Sequence, residues 1–253
     1  MLKRHILLST AAFTFMMGLG LVKPVSAMAQ SAKPIMVATD ATFPPFESMK
    51  DGKQIGFDID LMDAIGKVIG RPVEWTSIDF KGLVPGVLAG RFDMAVSAIY
   101  ITPSREKVVN FTQPYYDGGL SVIIRKNESQ IKNIDSLFGK KVSVQQGTKS
   151  VSFLANHYPK IQAVAVETNE EMFDMLRTDR VDAVVTGLPA ARLFVSDNPD
   201  MALLPQLLTK EEYGMVVSKQ EPKLLKEVND ALDVLKQNGE YQKIVHKWFG
   251  SQG

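Results

Sequence analysis

Cysteine is absent from the 253-residue sequence, and only three histidines are present. Because no disulfide bond can form, we expect the stability of the fold to come from its core. The missing thiol also excludes a bacterial lipid anchor, which is attached to a cysteine. We find no Ser–His–Asp arrangement, no cluster of metal ligands and no glycine-rich phosphate loop. The sequence therefore predicts neither a metal site nor a cofactor.

An excess of charge of either sign is also absent. The first 29 residues contain three of the 29 basic residues and none of the 28 acidic ones, so the rest of the chain has 26 basic residues against 28 acidic ones. A near-neutral chain offers no electrostatic reason to bind nucleic acid or an anionic membrane. We therefore expect no nucleic-acid partner.

Residues 1–29 have the pattern of a secretory signal peptide. Lys3 and Arg4 precede a mostly apolar stretch at residues 6–22, and small residues follow. The stretch is short for a membrane span and is diluted by polar residues and glycines, so a cleaved signal fits better than a membrane anchor. We expect cleavage near Ala27 or Ala29 and a mature protein that is free in a periplasm.

Two parts of the chain repeat one strand–helix plan. The predicted strands cover residues 34–39, 71–77, 94–96, 120–125, 141–145, 164–166, 181–186 and 212–217. The predicted amphipathic helices between them cover residues 57–69, 83–88, 150–158 and 170–178. This order is typical of parallel sheets with crossover helices.

A short repeat indicates two lobes. GRFDMAVS at residues 90–97 is echoed by DRVDAVVT at residues 179–186. We therefore predict an α/β fold with two Rossmann-like lobes joined by a two-strand hinge. Lobe 1 would contain residues 30–116 and 214–253, and lobe 2 would contain residues 117–213. A chain that crosses twice between lobes forms a hinge and a cleft, where small ligands prefer to bind.

The stretch RFDMAVSAIYITPSR at residues 91–105 joins a buried strand to a helix start. Thr102 and Pro103 are suited to begin the helix, and Arg105 follows within one turn. Free backbone N–H groups and an arginine fork would together bind a carboxylate. The alternative is a plain strand, turn and surface arginine.

The segment at residues 40–46, DATFPPF, is predicted to be a fixed loop because its two prolines prevent a helix or a central strand. The loop holds Asp40, Phe43 and Phe46 with little freedom. A carboxylate and two aromatic rings suit a pocket wall, although exposed rings in a structural loop are the alternative.

Seven motifs, spread in order over residues 34–250, carry a family resemblance. They are DATFPPFE (40–47), GFDIDL (56–61), DFKGLVP (79–85), ITPSR (101–105), FTQPYY (111–116), QGT (146–148) and the ending NGEY (238–241) to KWFG (247–250). With these motifs the chain resembles the periplasmic solute-binding proteins of ABC importers, polar-amino-acid type. The resemblance implies a type II periplasmic binding protein fold. It also implies a monomer that closes on an amino acid or related small zwitterion and delivers it to a membrane permease.

The resemblance further implies roles for individual positions. Arg105 would bind the ligand carboxylate, helped by the N–H of Thr148 at a helix start. Phe43 and Phe80 would sandwich the aliphatic part of the ligand. The other implied contacts are Asp40 and Gln145 at the side-chain end of the ligand, and Ser97, Ala98 and Tyr100 near its carboxylate and ammonium.

Two positions depart from the family pattern. The aspartate that usually binds the ligand ammonium is replaced by Gly187, and Tyr100 stands where threonine or serine is usual. A buried ion pair broken on one side loses about 2–5 kcal/mol, so we expect weak binding of standard amino acids. Asp40 could take over the cation, main-chain carbonyls and Tyr100 could suffice, or the ligand could lack a primary α-ammonium.

An enzyme on the same fold is the alternative function, since some relatives are periplasmic dehydratases of small carboxylates. Such an enzyme needs a general acid or base in the cleft, for which Asp40 is a candidate. His157 and His246 are expected on helix surfaces. We favour the binding protein and expect no enzymatic activity; the identity of the ligand and of the permease stays open.

Overall fold

The computed structural model describes residues 32–250. The predicted signal peptide and its two candidate cleavage positions lie outside these residues. Every helix in the described part of the chain is too short or too polar to cross a lipid bilayer.

Short strands alternate with helices along residues 32–250. The strands are β1 (Ile35–Thr39), β2 (Thr42–Phe43), β3 (Glu47–Lys50), β4 (Lys53–Ile55), β5 (Val73–Ser77), β6 (Met94–Ala95), β7 (Asn110–Phe111), β8 (Tyr116–Asp117), β9 (Leu120–Arg125), β10 (Lys141–Gln145), β11 (Gln162–Val166), β12 (Ala183–Gly187), β13 (Met201–Leu203), β14 (Glu212–Tyr213) and β15 (Val216–Val217). The α-helices are α1 (Phe57–Ile69), α2 (Leu83–Leu88), α3 (Pro103–Glu106), α4 (Lys149–His157), α5 (Asn169–Arg177), α6 (Leu188–Asp197), α7 (Pro222–Gln237) and α8 (Glu240–Phe249).

Two five-stranded sheets repeat the same plan. The first has the strand order β5-β1-β6-β15-β7, and the second has the order β11-β10-β12-β9-β13. In each sheet the first three strands are parallel, and the fourth pairs antiparallel with the third. This repeat confirms the predicted α/β fold with two similar lobes.

The core lies on the faces of these sheets. Every residue of β12 is buried, as expected for a strand covered on both faces by helices. Leu61 and Met62 of α1 pack into the core that contains the first sheet, and Met172 and Leu176 of α5 pack on the second. Because β5, β1 and β6 are parallel, as are β11, β10 and β12, their carboxyl ends lie at a common edge of each sheet.

Strands β8 and β14 form a separate antiparallel pair, with Tyr116 opposite Tyr213 and Asp117 opposite Glu212. In the sequence, β8 leads from the first sheet to the second, and β14 leads back. This pair is the two-strand hinge that the sequence predicts. The exact lobe boundaries, residues 30–116 with 214–253 and residues 117–213, stay a prediction.

The prediction of one late strand at residues 212–217 is wrong. The structure has two strands there, because β14 pairs with β8 whereas β15 pairs with β6 and β7. The chain changes partner at Gly214, whose N–H donates to the carbonyl of Ile99 at 3.0 Å. A β-carbon at Gly214 would lie 2.8 Å from the side chain of Ile101, so the turn is tightly packed.

The predicted loop at residues 40–46 is partly a strand. Thr42 and Phe43 form β2, which pairs with β3 in a three-stranded antiparallel sheet that also contains β4. The two prolines that follow Phe43 limit β2 to two residues, because proline cannot donate a ladder hydrogen bond.

Candidate ligand-binding site

A small cavity lies where the carboxyl ends of several parallel strands meet. Its lining includes eight of the ten residues predicted for the site: Phe43, Phe80, Ser97, Ala98, Tyr100, Gln145, Thr148 and Gly187. Gln145 ends β10 and Gly187 ends β12, so the two strands deliver both residues to one place. Crevices at the carboxyl ends of parallel strands are the usual ligand sites of open α/β sheets.

Arg105 does not line the cavity but lies beside it, in a larger open pocket that shares Thr148 and Lys149 with the cavity. Its Nη1 donates to the carbonyl of Tyr100 at 2.8 Å, and its Nη2 donates to the carbonyl of Gly147 at 3.0 Å. Burial lowers the pKa of Arg105 to about 10. The guanidinium is thus bonded to main-chain carbonyls that follow strands of both sheets.

Helix α3 fixes the position of Arg105. Thr102 caps the helix, since its hydroxyl accepts from the N–H of Arg105, and Pro103 occupies the first helical position. The guanidinium carbon lies 5.6 Å from the ring centroid of Phe80, over which it stacks. Within the described residues, no carboxylate forms an ion pair with Arg105.

Asp40 also lies outside the lining, directly behind Gln145. It is 4% exposed. Its carboxylate accepts from the hydroxyl of Thr42 at 2.9 Å and from Nε2 of Gln145 at 2.5 Å. Burial raises its pKa, although these two hydrogen bonds act in the opposite direction. Both carboxylate oxygens are therefore already engaged, which leaves Asp40 poorly placed to receive a ligand cation.

Gln145 is held in place by a polar network. Its Nε2 also donates to the carbonyl of Glu167 at 2.9 Å, and its Oε1 accepts from Nδ2 of Asn169 at 3.0 Å. Asn169 lines the cavity, is buried, and has no partner for its Oδ1 among the described residues. An unpaired buried acceptor suits a ligand that donates a hydrogen bond there.

Ser97 and Ala98 are positioned from behind by two fully buried carboxyl groups. The hydroxyl of Ser97 donates to Oε1 of Glu47 at 2.8 Å, and the N–H of Ala98 donates to Oδ2 of Asp58 at 2.8 Å. The hydroxyl of Tyr115 donates to the same oxygen of Asp58 at 2.9 Å. Both acids belong to motifs named above, DATFPPFE and GFDIDL, for which no positioning role is predicted from the sequence.

Tyr213 is the main lining residue that the sequence analysis missed. Its hydroxyl lies 3.1 Å from that of Tyr100, and Tyr100 also accepts from the N–H of Gly119 at 3.0 Å. Both rings are buried, with centroids 4.5 Å apart. No sequence pattern marks Tyr213 as a lining residue, because its place in the cavity follows from the pairing of β14 with β8.

Lys149 is a further missed lining residue. Its Nζ lies 3.0 Å from Oε1 of Glu211. The described lining contains no aspartate or glutamate, so Lys149 supplies its only formal charge. The cavity wall is therefore neutral to positive.

Comparisons with known proteins agree with this architecture. The model of the bacterial extracellular solute-binding proteins, family 3, matches residues 35–251. A putative ABC transporter arginine-binding protein 2 of Escherichia coli is 33% identical over 235 residues, which cover 90% of this chain and 96% of that protein. An L-cystine-binding protein of E. coli is 29% identical over 86% of this chain and 83% of its own length.

A solved structure of a binding protein is also similar to this chain. A periplasmic binding protein of Salmonella typhimurium, described as highly specific for arginine, is 32% identical with a TM-score of 0.82, over 86% of this chain and all of that one. These similar proteins bind solutes and are not enzymes, so the enzyme alternative is not favoured and the chain has a substrate-binding role. The chain belongs to the bacterial extracellular solute-binding proteins, family 3.

Proposed function

We propose that the mature chain is the periplasmic substrate-binding component of an ABC importer. It binds a small molecule that carries a carboxylate, an amino acid or a related zwitterion, and delivers it to a membrane permease. The observation that carries this proposal is Arg105, a half-buried guanidinium at the rim of a cavity, which is hydrogen-bonded to two carbonyls and forms no ion pair with an acid among the described residues. A ligand carboxylate would supply the missing negative charge.

The groups around Arg105 support an anion site. Thr148 precedes the first turn of α4, and its hydroxyl donates to the carbonyl of Gln145 instead of capping the helix. The first N–H groups of this helix are therefore not capped by a side chain and can donate to an anion, which the helix dipole also favours. Phe43 and Phe80 supply apolar walls for the rest of the ligand.

Binding requires the two lobes to separate. The free space in the cavity is about 30 Å³, which leaves room for a few water molecules but not for an amino acid. Contacts between the two predicted lobes close it, among them Asp40 to Gln145 at 2.5 Å and Lys81 to Glu167 at 2.5 Å. We propose that the β8–β14 hinge opens these contacts to admit the ligand, and that the protein acts as a monomer with the lobe boundaries given above.

Substituting Arg105 by lysine tests the proposal. Lysine keeps the charge but cannot form two parallel hydrogen bonds to a carboxylate. We expect the affinity for the bound ligand to fall ~10- to 100-fold, or about 1.4–3 kcal/mol. The ligand is first identified by thermal shift against amino acids, betaines, opines and small carboxylates, and its affinity is then measured by calorimetry.

Arg91→Lys is the matched control. Arg91 also stacks on a phenylalanine, with its guanidinium carbon 5.6 Å from the ring centroid of Phe92, but it is exposed. This variant should bind as the unmodified protein does. Equal affinity in the Arg105 variant, or no thermal shift with any carboxylate in the panel, would overturn the proposal.

A further inference from the structure

We infer that the Tyr100–Tyr213 pair, together with Gly187, selects a carboxylate ligand whose neighbouring carbon carries an oxygen, as an oxo or hydroxyl group, instead of an ammonium. This inference rests on the proposed binding of the ligand carboxylate near Arg105, and it replaces the zwitterion of the proposed function by a carboxylate that has no α-ammonium. It concerns a different part of the ligand: the substituent on the carbon next to the carboxylate, which would face the tyrosine pair.

Gly187 leaves the space that Tyr213 fills. A β-carbon at this position would lie 2.5 Å from the hydroxyl oxygen of Tyr213, 3.3 Å from Cζ of Phe43 and 3.5 Å from the hydroxyl oxygen of Tyr100. The backbone of Gly187 has φ −64° and ψ 135°, which any residue can adopt. Glycine is therefore required for space and not for conformation, and no acidic side chain fits beside Tyr213.

A second glycine makes room for the same pair. A β-carbon at Gly118 would lie 2.6 Å from Cε1 of Tyr100 and 3.0 Å from Cζ of Tyr213. Two positions without side chains thus flank the two rings, Gly187 at the end of β12 and Gly118 between β8 and β9. The tyrosine pair is a built part of the wall, held by packing as well as by its hydrogen bonds.

The hydrogen bonds of the pair leave a donor free. Two hydroxyl groups carry two protons, and one proton is used in the 3.1 Å bond between them. The N–H of Gly119 donates to Tyr100 and so occupies an acceptor site, not a proton. The second hydroxyl proton is available to a ligand oxygen.

The surrounding charges act in the same direction. Burial raises the pKa of Tyr100 to about 12 and that of Tyr213 well above its ordinary value, so both stay neutral phenols. Lys149 is the only charged residue of the described lining. The acids nearest to the lining are already engaged, since Glu211 pairs with Lys149 at 3.0 Å and Asp40 is bonded to Thr42 and Gln145. An ammonium at this wall would lose its hydration without meeting a carboxylate in the described lining.

The first test compares ligands that differ in one group. Calorimetry on the mature protein would use sets with a common side chain: alanine, pyruvate and lactate; leucine, 4-methyl-2-oxopentanoate and its 2-hydroxy acid; glutamate, 2-oxoglutarate and 2-hydroxyglutarate. In at least one set we expect the oxo or hydroxy acid to bind 100-fold or more tightly than the amino acid. Tighter binding of the amino acid in the set that binds best, or of an N-trimethylated amino acid, would overturn the inference.

The second test introduces at position 187 the aspartate that is usual in the family. Gly187→Asp alone should lower the melting temperature, because the new β-carbon meets the hydroxyl of Tyr213. Combining Gly187→Asp with Tyr213→Phe removes that hydroxyl, and we expect the preference to shift at least 10-fold toward the amino acid. Tyr213→Phe alone is the control: Tyr213 donates to Tyr100, so this variant keeps the free proton of Tyr100 and should change the preference far less than the double variant does.

The two proposals fail in different ways. If the amino acid binds best and Arg105→Lys weakens it, the inference about the tyrosine pair is wrong and the proposed function stands. If Arg105→Lys leaves the affinity for every carboxylate unchanged, the proposed function is wrong as well. If the double variant folds but keeps the preference of the unmodified protein, the pair does not determine specificity.

Discussion

Replacing Asp58 by alanine should lower the free energy of unfolding by about 3–5 kcal/mol. Asp58 is fully buried, and one of its oxygens accepts both from the N–H of Ala98 and from the hydroxyl of Tyr115. Alanine leaves two donors unpaired in the core, each at a cost of about 1–3 kcal/mol. Urea unfolding at pH 7 measures the loss.

Asp230→Ala is the control for this prediction. Asp230 is exposed and pairs only with Lys226 on the same helix, so its removal should cost less than about 1 kcal/mol. If Asp58→Ala lowers the free energy of unfolding no more than Asp230→Ala does, the buried network described above is contradicted. Asp58→Asn keeps the side-chain volume and one acceptor oxygen. It should lower the free energy of unfolding by an amount between those of Asp230→Ala and Asp58→Ala.

Replacing Asp58 by alanine should also disturb the ligand site, because Asp58 holds a lining residue in place. Ala98 lines the cavity with a φ of 44°, in the left-handed region that costs a residue other than glycine of order 1–3 kcal/mol. The hydrogen bond to Asp58 holds Ala98 in this conformation, and the bond from Ser97 to Glu47 holds its neighbour. The two buried acids therefore position a segment of the binding site without contacting the cavity themselves.

The sequence predicts the fold well because its signals are local. The apolar runs and period-3.6 patterns of residues 34–96 and 141–186 place most strands and helices of the two sheets, and the echo of GRFDMAVS in DRVDAVVT indicates that the plan repeats. Strands β3, β4 and β13 and helix α6 are not predicted. The strand order of the two sheets, β5-β1-β6 and β11-β10-β12, is not predictable in this way, because the right-handedness of crossovers determines the hand of each connection and not which strands are neighbours.

The site is less predictable, because its contacts join distant parts of the chain. Gln145 meets Asp40 across 105 residues, and this bond moves Asp40 out of the lining, where the sequence analysis had expected it near the ligand. Tyr213 reaches Gly187 only because β14 pairs with β8. The sequence showed that Gly187 and Tyr100 were unusual, but not that a second tyrosine fills the space between them.

Glu47→Gln should make the protein progressively more stable than the unmodified one as the pH rises above about 5. Glu47 is fully buried, and burial together with the neighbouring charge of Asp58 raises its pKa well above the ordinary value. Burial also raises the pKa of Asp58 to about 6. The pair therefore holds a proton on Glu47 in the folded state at a pH where the unfolded chain has released it.

The sign follows from proton linkage. An acid with a raised folded-state pKa contributes its full stability below the unfolded pKa, here about 4.5 for Glu47, and loses that contribution as the pH rises toward the folded value. Each such group contributes a slope of about 1.4 kcal/mol per pH unit within this window. For Asp58 the window closes near pH 6, whereas for Glu47 it extends further.

Glutamine at position 47 reproduces the protonated acid, since its oxygen can accept from Ser97 and its amide can donate to Asp58 as the carboxyl proton does. The difference in unfolding free energy between Glu47→Gln and the unmodified protein should grow by about 1.4 kcal/mol per pH unit from pH 5 upward. Urea unfolding of both proteins from pH 4.5 to pH 8 measures this difference, with Glu74→Gln at an exposed position of β5 as the control for the loss of one glutamate charge. A difference that does not change with pH would show that Glu47 ionises alike in both states, and that Ser97 is held by a charged group instead of a neutral one.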